Sequence, residues 1–416
     1  MSWTFLSAIF LPTLVIFLTL RFRSKPSSKP SSVGDDIKRT RAIANFTAFD
    51  AKSLNVRLRL RAGPNVRLTT AFGIRNSFTT TDDAEHLEFL RRAVLVIKSA
   101  DGAAWRRVWT LANGRMDSLA PRDHGLRLNI ERIARVLCFD AVLELLFPQT
   151  RVRPLDVGGA DRATKLVNVL WLESKRDPAG TEASTARAYA LESLHEAMRG
   201  LVSEPEEEAL GLIMPAYETL WRVVLLTYVH VAFRYVDSET RDLVHEVVDV
   251  VSRNGGCRGA RSQLHLNVDN FAREALRLYP PTKRIYRASD TLKVAADVES
   301  LHHDERIWGT DALEFRPGRF ATLTQDQCDA YMPFGVGKNA CPAANGFGNR
   351  AIAFLVVVLL SRLGSRESGA RVCFGPSGLD RDVKAPLPNG RDDMEGWVVS
   401  LSGMDDVEPR MEWEKV

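Results

Sequence analysis

The run MPFGVGKNACPAANGFGNRAIAFLVVVLL, residues 332–360, constrains this chain more than any other stretch. It carries one cysteine, Cys341, from a glycine-punctuated loop into the start of a long apolar helix. Gly335 and Gly337 allow the backbone to turn tightly and to approach a flat ligand closely. The positive end of the helix that follows favours a charged sulfur. The pattern suits a metal thiolate, and it also suits a buried cysteine in a glycine turn ahead of a core helix; the rest of the chain decides between them.

The chain has 416 residues, 45% of them hydrophobic and 26% charged, the balance of a folded enzyme with a large core. Its net charge of +4, from 56 basic and 52 acidic side chains, lacks the footprint of a dedicated nucleic-acid binder. Cys138, Cys257, Cys328, Cys341 and Cys373 are odd in number and scattered, which reads as reduced thiols facing the cytosol. His302 and His303 lie beside Asp304 and Glu305, but adjacent histidines lack the i, i+4 geometry of a helical zinc site, so a loop is expected there.

No residue from Ser2 to Leu20 is ionisable, and Arg21, Arg23, Lys25 and Lys29 follow. That order predicts a transmembrane anchor over residues 1–20 in preference to a cleaved signal peptide, with everything after it cytosolic. A basic Pro/Ser-rich linker is expected over 21–36 and one catalytic body over 37–416. Helical periodicity appears in HLEFLRRAVLVI, RLNIERIARVLCFDAVLELLF, ETRDLVHEVVDVV, VDNFAREALRLY and AIAFLVVVLLSRL, and β-like pieces in NVRLRL and GWVVSLS. The polar stretch from Glu173 to Glu208 reads as a loop-rich connection with one helix inside it.

In FAREALRLYPP, Glu274 and Arg277 stand at i, i+3, where they can pair, and Pro280-Pro281 ends the helix. EFRPGRF follows with Arg319, and the cysteine loop comes next, 67 residues after Glu274. In this order the motifs resemble the cytochrome P-450 family, whose signature is Glu-x-x-Arg, then Pro-x-Arg-Phe, then Phe-Gly-x-Gly-x-x-x-Cys. The resemblance covers roughly residues 210 to 416. It implies a mainly α fold with small β-sheets (α+β) and haem b whose iron is bound by Cys341. It also implies a haem loop with Phe334, Gly335 and Gly337, and a structural ion-pair triad of Glu274, Arg277 and Arg319.

Two further segments look like parts of the same family. GLIMPAYETLWRVV resembles its oxygen-activating helix, where Glu218 and Thr219 would relay protons; an ordinary helix start with Pro215 in its first turn is the alternative. SADGAAWRRVWTLAN resembles the helix whose Trp and Arg hold a haem propionate. Trp105 fits, Trp109 stands where the family usually has arginine, and Arg106 or Arg107 would substitute. Arg287, after the helix of Glu274, is another propionate partner. The chain departs from the family at Asn339, Ala343, Gly318 and Pro215, and its segment between Trp105 and Thr219 is short.

The activity implied is insertion of one oxygen atom from O2 into a small apolar organic substrate, such as a secondary metabolite. Electrons would come from NADPH through NADPH-cytochrome P-450 reductase, at the endoplasmic reticulum membrane, with no nucleic-acid partner. The alternatives are a haem-thiolate isomerase, dehydratase or peroxide-driven enzyme, and a membrane-tethered relative without activity.

Overall fold

The helices that fill the centre are buried nearly all round: two of them are apolar on almost every side, and the first in chain order also buries Arg135, Asp140 and Glu144 in ion pairs. They are α5 (Ile130–Leu146), α9 (Trp221–Phe233) and α15 (Phe347–Leu363). In the computed structural model, α9 packs along both α5 and α15. The structure describes residues 32–121, 127–178, 180, 185–254, 263–337, 340–344, 346–388, 390, 391 and 393–401. The expected anchor over 1–20, Cys257 and Asn339 lie outside the described residues.

Around this core run α1 (Val33–Ala44), α2 (Leu54–Phe72), α3 (Asp83–Ser99), α4 (Gly102–Leu119), α6 (Val157–Arg176), α7 (Thr185–Arg199) and α8 (Glu206–Tyr217). Further along come α10 (Ser238–Asn254), α11 (Gln263–Leu278), α12 (Val298–His302), α13 (Glu305–Trp308) and α14 (Gln325–Ala330). Strands β1 (Arg127–Asn129), β4 (Arg371–Cys373) and β5 (Val398–Ser400) form an antiparallel sheet with β5 in the middle, Leu128 and Val372 both facing Val399. Strands β2 (Arg284–Ala288) and β3 (Lys293–Asp297) pair as a hairpin, Arg287 opposite Val294. The protein is thus mainly helical with small sheets.

Two expectations are corrected. NVRLRL, which alternates like a strand, lies inside α2: Ser53 accepts the Val56 N–H at its start, and Leu58, Leu60 and Arg61 bury on the helix's inner side. Medium-range capping and packing outweigh a six-residue alternation. Residues 33–36, expected within the linker over 21–36, belong instead to α1, with Asp36 in its first turn paired to Arg39 and Arg306 and Ile37 buried; residues 21–31 lie outside the described residues. Glu206–Phe233 and Phe347–Ser368 are long and apolar enough to cross a membrane by composition, but most of each apolar window is buried in the body.

Candidate functional site

The centre of the site is laid down by the end of α11. Arg277 donates from Nε to Glu274 Oε2 at 2.7 Å and from Nη2 to Oε1 at 2.8 Å, a two-pronged pair fully removed from solvent. Glu274 Oε1 also accepts from Arg319 Nε at 3.0 Å and from the Arg316 backbone N–H at 2.9 Å. Arg277 Nη1 reaches the carbonyls of His302 and Ala312 at 2.7 and 2.6 Å, and Arg319 those of Trp308 and Asp311 at 3.2 and 3.1 Å. A buried ion pair is tolerated only when its remaining donors and acceptors are satisfied, and here the guanidiniums spend theirs on the irregular segment 302–319. Glu274 and Arg277, one turn apart at the end of α11, together with the distant Arg319 therefore fix one loop region.

His302 extends this frame to the cysteine loop. Its Nδ1 faces the Arg277 carbonyl at 3.2 Å and its Nε2 faces the Met332 backbone nitrogen at 3.1 Å, so the ring donates to the first and accepts from the second. Burial and the Arg277 charge push its pKa down to about 3, keeping it neutral. His303 hydrogen-bonds the Leu278 carbonyl at 2.9 Å.

After Met332 the chain turns at Gly335 and Gly337, whose φ values of 73° and 65° favour glycine. A Cβ at Gly337 would collide with Asn45 Oδ1. The Cys341 N–H closes the loop on the Phe334 carbonyl at 2.8 Å. The Phe334 ring lies over α15, where a Cβ at Gly348 would come within 2.8 Å of its Cζ. Cys341 is open to solvent on one side while the loop crowds its sulfur, so the desolvated thiol titrates above its ordinary value, partly offset by the Ala343 N–H. Cys138, by contrast, is wholly buried in α5, and burial pushes its thiol far up.

Trp105, buried on α4 behind an Asp101 cap, packs on Phe347 and Phe354 of α15 at 5.5 and 5.8 Å, with Arg350 over its ring at 4.8 Å. Trp109 meets Phe354 edge-on at 4.9 Å. Arg106 and Arg107 instead line a separate groove with Thr110, Glu144 and Arg153, where Arg107 pairs with Glu144 at 3.1 Å. Arg287 is buried, stacked 4.0 Å over Phe46, and donates from Nη2 to the Ala44 carbonyl at 3.0 Å. Its Nε finds no acceptor among the described residues. Burial and the charge of Arg61 lower its pKa to about 9, and burial lowers Arg61 itself to about 10. Two crowded guanidiniums, with no carboxylate paired to either among the described residues, are suited to an incoming carboxylate; Arg61, directly after the piece that read as a strand, was not singled out by sequence.

Glu218, Thr219 and Leu220 form the break between α8 and α9. Pro215 stands in the last turn of α8, not at a helix start. It has no N–H for the Gly211 carbonyl, which accepts instead from Asn76 Nδ2 at 3.0 Å. Thr219 Oγ1 donates to the Pro215 carbonyl at 2.8 Å. Glu218 is buried in an ion pair with Arg391, which sequence gave no means of finding.

A mainly helical body that offers one solvent-open thiol from a glycine loop ahead of its central helix, braced by a buried Glu-Arg-Arg frame, is the architecture of haem-thiolate proteins. Residues 240–362 match the family model Cytochrome P450, a range that holds the frame and Cys341. The chain is 37% identical to Cytochrome P450 CYP749A22 of Panax ginseng over 108 residues, 22% of this chain and 21% of that protein. It is 24% identical to the cytokinin hydroxylase of Arabidopsis thaliana over 263 residues, 58% and 51% of the two chains. It spans about a fifth to a half of the length of these curated relatives. CYP175A1 from Thermus thermophilus superposes with a TM-score of 0.51 at 17% identity, over 75% of this chain and 80% of that one. Residues 240–362 thus carry the cytochrome P450 family signature, and the chain as a whole has a fold like that of the solved cytochrome P450.

Proposed function

We propose that this chain is a membrane-anchored, haem-dependent monooxygenase that inserts one oxygen atom from O2 into an organic substrate. The observation that carries the reading is the thiol of Cys341, presented from a glycine loop tied to the buried Glu274-Arg277-Arg319 frame. Cys341 would bind the haem iron through its sulfur, and Phe334, Gly335 and Gly337 shape the loop so that a flat ring could approach its backbone. Arg287 and Arg61 would hold haem carboxylates, with Trp105 bracing the start of α15. When bound, haem with a thiolate ligand supplies the activation of O2 and its O–O cleavage, as in the family at large.

The chain's own share is positioning and proton handling. The break at Glu218-Thr219 leaves a hydroxyl that donates to the Pro215 carbonyl and keeps its lone pairs for a further donor. Arg391 holds Glu218 in place. Electrons come from NADPH through NADPH-cytochrome P-450 reductase, and residues 1–20 tether the body to the endoplasmic reticulum membrane with its catalytic part cytosolic.

The reduced protein with carbon monoxide should show the red-shifted thiolate band, and Cys341→Ser should abolish it. A band unchanged in Cys341→Ser removes the central assignment. The ion pair of Glu218 with Arg391 favours one second reading, an isomerase, dehydratase or peroxide-driven reaction that needs no relay. Turnover supported by peroxide, or by no reductant at all, and not by NADPH with reductase would select it.

A further inference from the structure

The turn that closes α1 is strained at a residue unsuited to it. Phe46 has a φ of 66°, in the left-handed region that a bulky side chain avoids. Such a conformation persists only where the surroundings over-determine it. Phe46 is 1% exposed, and the Arg287 guanidinium of β2 lies 4.0 Å over its ring. The same guanidinium donates from Nη2 to the Ala44 carbonyl at 3.0 Å, and the Asn45 N–H donates to the Arg41 carbonyl at 2.8 Å. The chain is therefore held on both sides of Asn45.

What the held turn delivers is a carboxamide. Asn45 sets its Cγ and Nδ2 at 2.9 and 3.1 Å from the point where a Cβ on Gly337 would stand, with Oδ1 closer still. The amide thus fills the side-chain place of a loop glycine that itself turns left-handed, at a φ of 65°. On either side of this contact α1 grips the same segment. Val336 packs on the cluster of Ile43, Ala44 and Ala296, and Arg41 Nη1 donates to the Asp329 carbonyl at 2.8 Å, ahead of the loop. Cys341 follows Gly337 by four residues, its N–H closing the loop on the Phe334 carbonyl at 2.8 Å. One turn therefore touches Arg287 on one side and the cysteine loop on the other.

We propose that Asn45 is the positioning residue of the cysteine loop, held against Gly337 by the Arg287-braced turn at Phe46, so that the Cys341 thiol and the Arg287 cation keep one fixed separation. This rests on the reading of Cys341 as the residue that binds the haem iron, and adds the residue that sets where it stands. A rigid, flat group gripped at its metal by one residue and at its rim by another needs the two grips held by supporting contacts. Along the chain Arg287 and Cys341 are 54 residues apart (341 minus 287), and the turn at Asn45 links them directly through space. The test uses the haem-loaded full chain and the variants Asn45→Ala, Asn45→Asp, Gly337→Ala and the double variant Asn45→Ala with Gly337→Ala. In Asn45→Ala the share of the carbon monoxide spectrum in the thiolate band should fall about twofold or more, and haem should pass to an apo-acceptor protein about threefold or more faster. Asn45→Asp keeps the shape of the side chain and should behave as the parent in both.

In Gly337→Ala the new Cβ meets the amide, whereas in the double variant it takes the place that the amide has left. The double variant should therefore hold haem no worse than Gly337→Ala alone, while independent roles would multiply the two losses. Urea titration of the same samples repeats the cycle on the fold itself, and the double variant's unfolding constant should fall short of the product of the single effects by about threefold or more. Asn45→Ser takes the alanine variant's place in the cycle if Asn45→Ala does not accumulate as folded protein. The proposal is overturned if Asn45→Ala keeps the parent's band and rate of haem loss, if Asn45→Asp fails to rescue them, or if the single effects simply combine in the double variant. A parent without a thiolate band but with a coupled urea cycle removes the reading of Cys341 and leaves Asn45 as the residue that positions the loop.

Discussion

His302 holds Met332, its Nε2 accepting the backbone N–H at 3.1 Å from the residue that opens the cysteine loop. The same ring's Nδ1 rests on the Arg277 carbonyl at 3.2 Å, so one imidazole links the buried ion-pair frame to the thiol-bearing loop. His302→Phe keeps the volume but orphans one donor and one acceptor in a buried place. Leaving such groups unsatisfied costs about 1 to 3 kcal/mol each, so a fall of about 2 to 4 kcal/mol in unfolding free energy is expected. Urea titration measures it, and an unchanged midpoint would assign His302 to packing alone.

The same histidine sets an acid limb. Its folded pKa of about 3 lies below the ordinary value of 6.5, and buried His230, against the Tyr279 hydroxyl, is lowered to about 3 as well. Between these values the unfolded chain binds protons that the folded chain does not, so stability falls as pH drops from 6.5 toward 3. The expected slope is roughly 1 kcal/mol per pH unit for each ring. Urea midpoints at pH 7, 6 and 5 should decline in the parent and decline less in His230→Phe.

Breaking the frame has a larger effect than removing a surface pair. Glu274→Gln leaves the charge of Arg277 buried and also loses the carboxylate shared with Arg319, and uncompensated buried charge costs about 3 to 5 kcal/mol. Loss of soluble, cooperatively folding protein is expected. A Glu274→Gln variant within about 1 kcal/mol of the parent by the same titration, itself the size of a surface pair, would contradict the observed geometry.

Gly337→Ala tests the loop without touching the thiol. Its φ of 65° disfavours any L side chain by about 1 to 2 kcal/mol, and the new Cβ would press on the Asn45 side chain. Haem per chain should fall while far-ultraviolet circular dichroism stays unchanged. Equal haem content in both would show that the turn tolerates a side chain.

Sequence showed the frame and the loop because each is written in short, rigid spacings: i, i+3 on a helix, and glycines where the backbone turns left-handed. The apolar stretches of α5 and α15 were equally visible as helices, whereas only the first residues of α9 entered the reading, through GLIMPAYETLWRVV. Arg391 and Asn76 were not visible, since each meets the Glu218 segment from a distant part of the chain and no periodicity encodes such a meeting. Arg61 was hidden for another reason: it directly follows Arg57-Leu58-Arg59-Leu60, which imitates a strand, and only the Ser53 cap and the neighbouring burial make this stretch a helix. Trp105 was expected beside a haem propionate together with Arg106 or Arg107; it is buried against α15, and side-chain direction on α4 sends the two arginines into a different groove.

Lys175 of α6 supplies the last prediction, because desolvation and four neighbouring cations act on it together. Its pKa of about 8 lies below the ordinary lysine value of 10.5, so between these pH values the unfolded chain holds a proton that the folded chain has released. The sign then runs against stability at pH 7, where the ammonium is charged among Arg67, Arg222, Lys283 and Arg391, and relief comes as pH rises through about 8. Solvent reaches one side of the ammonium, and screening keeps the effect below about 1 kcal/mol. Lys175→Gln should therefore match or slightly exceed the parent in urea midpoint at pH 7, with the difference vanishing by pH 10. A Lys175→Gln midpoint well below the parent would mean that the ammonium supports the fold, and the repulsion among these cations would be wrong.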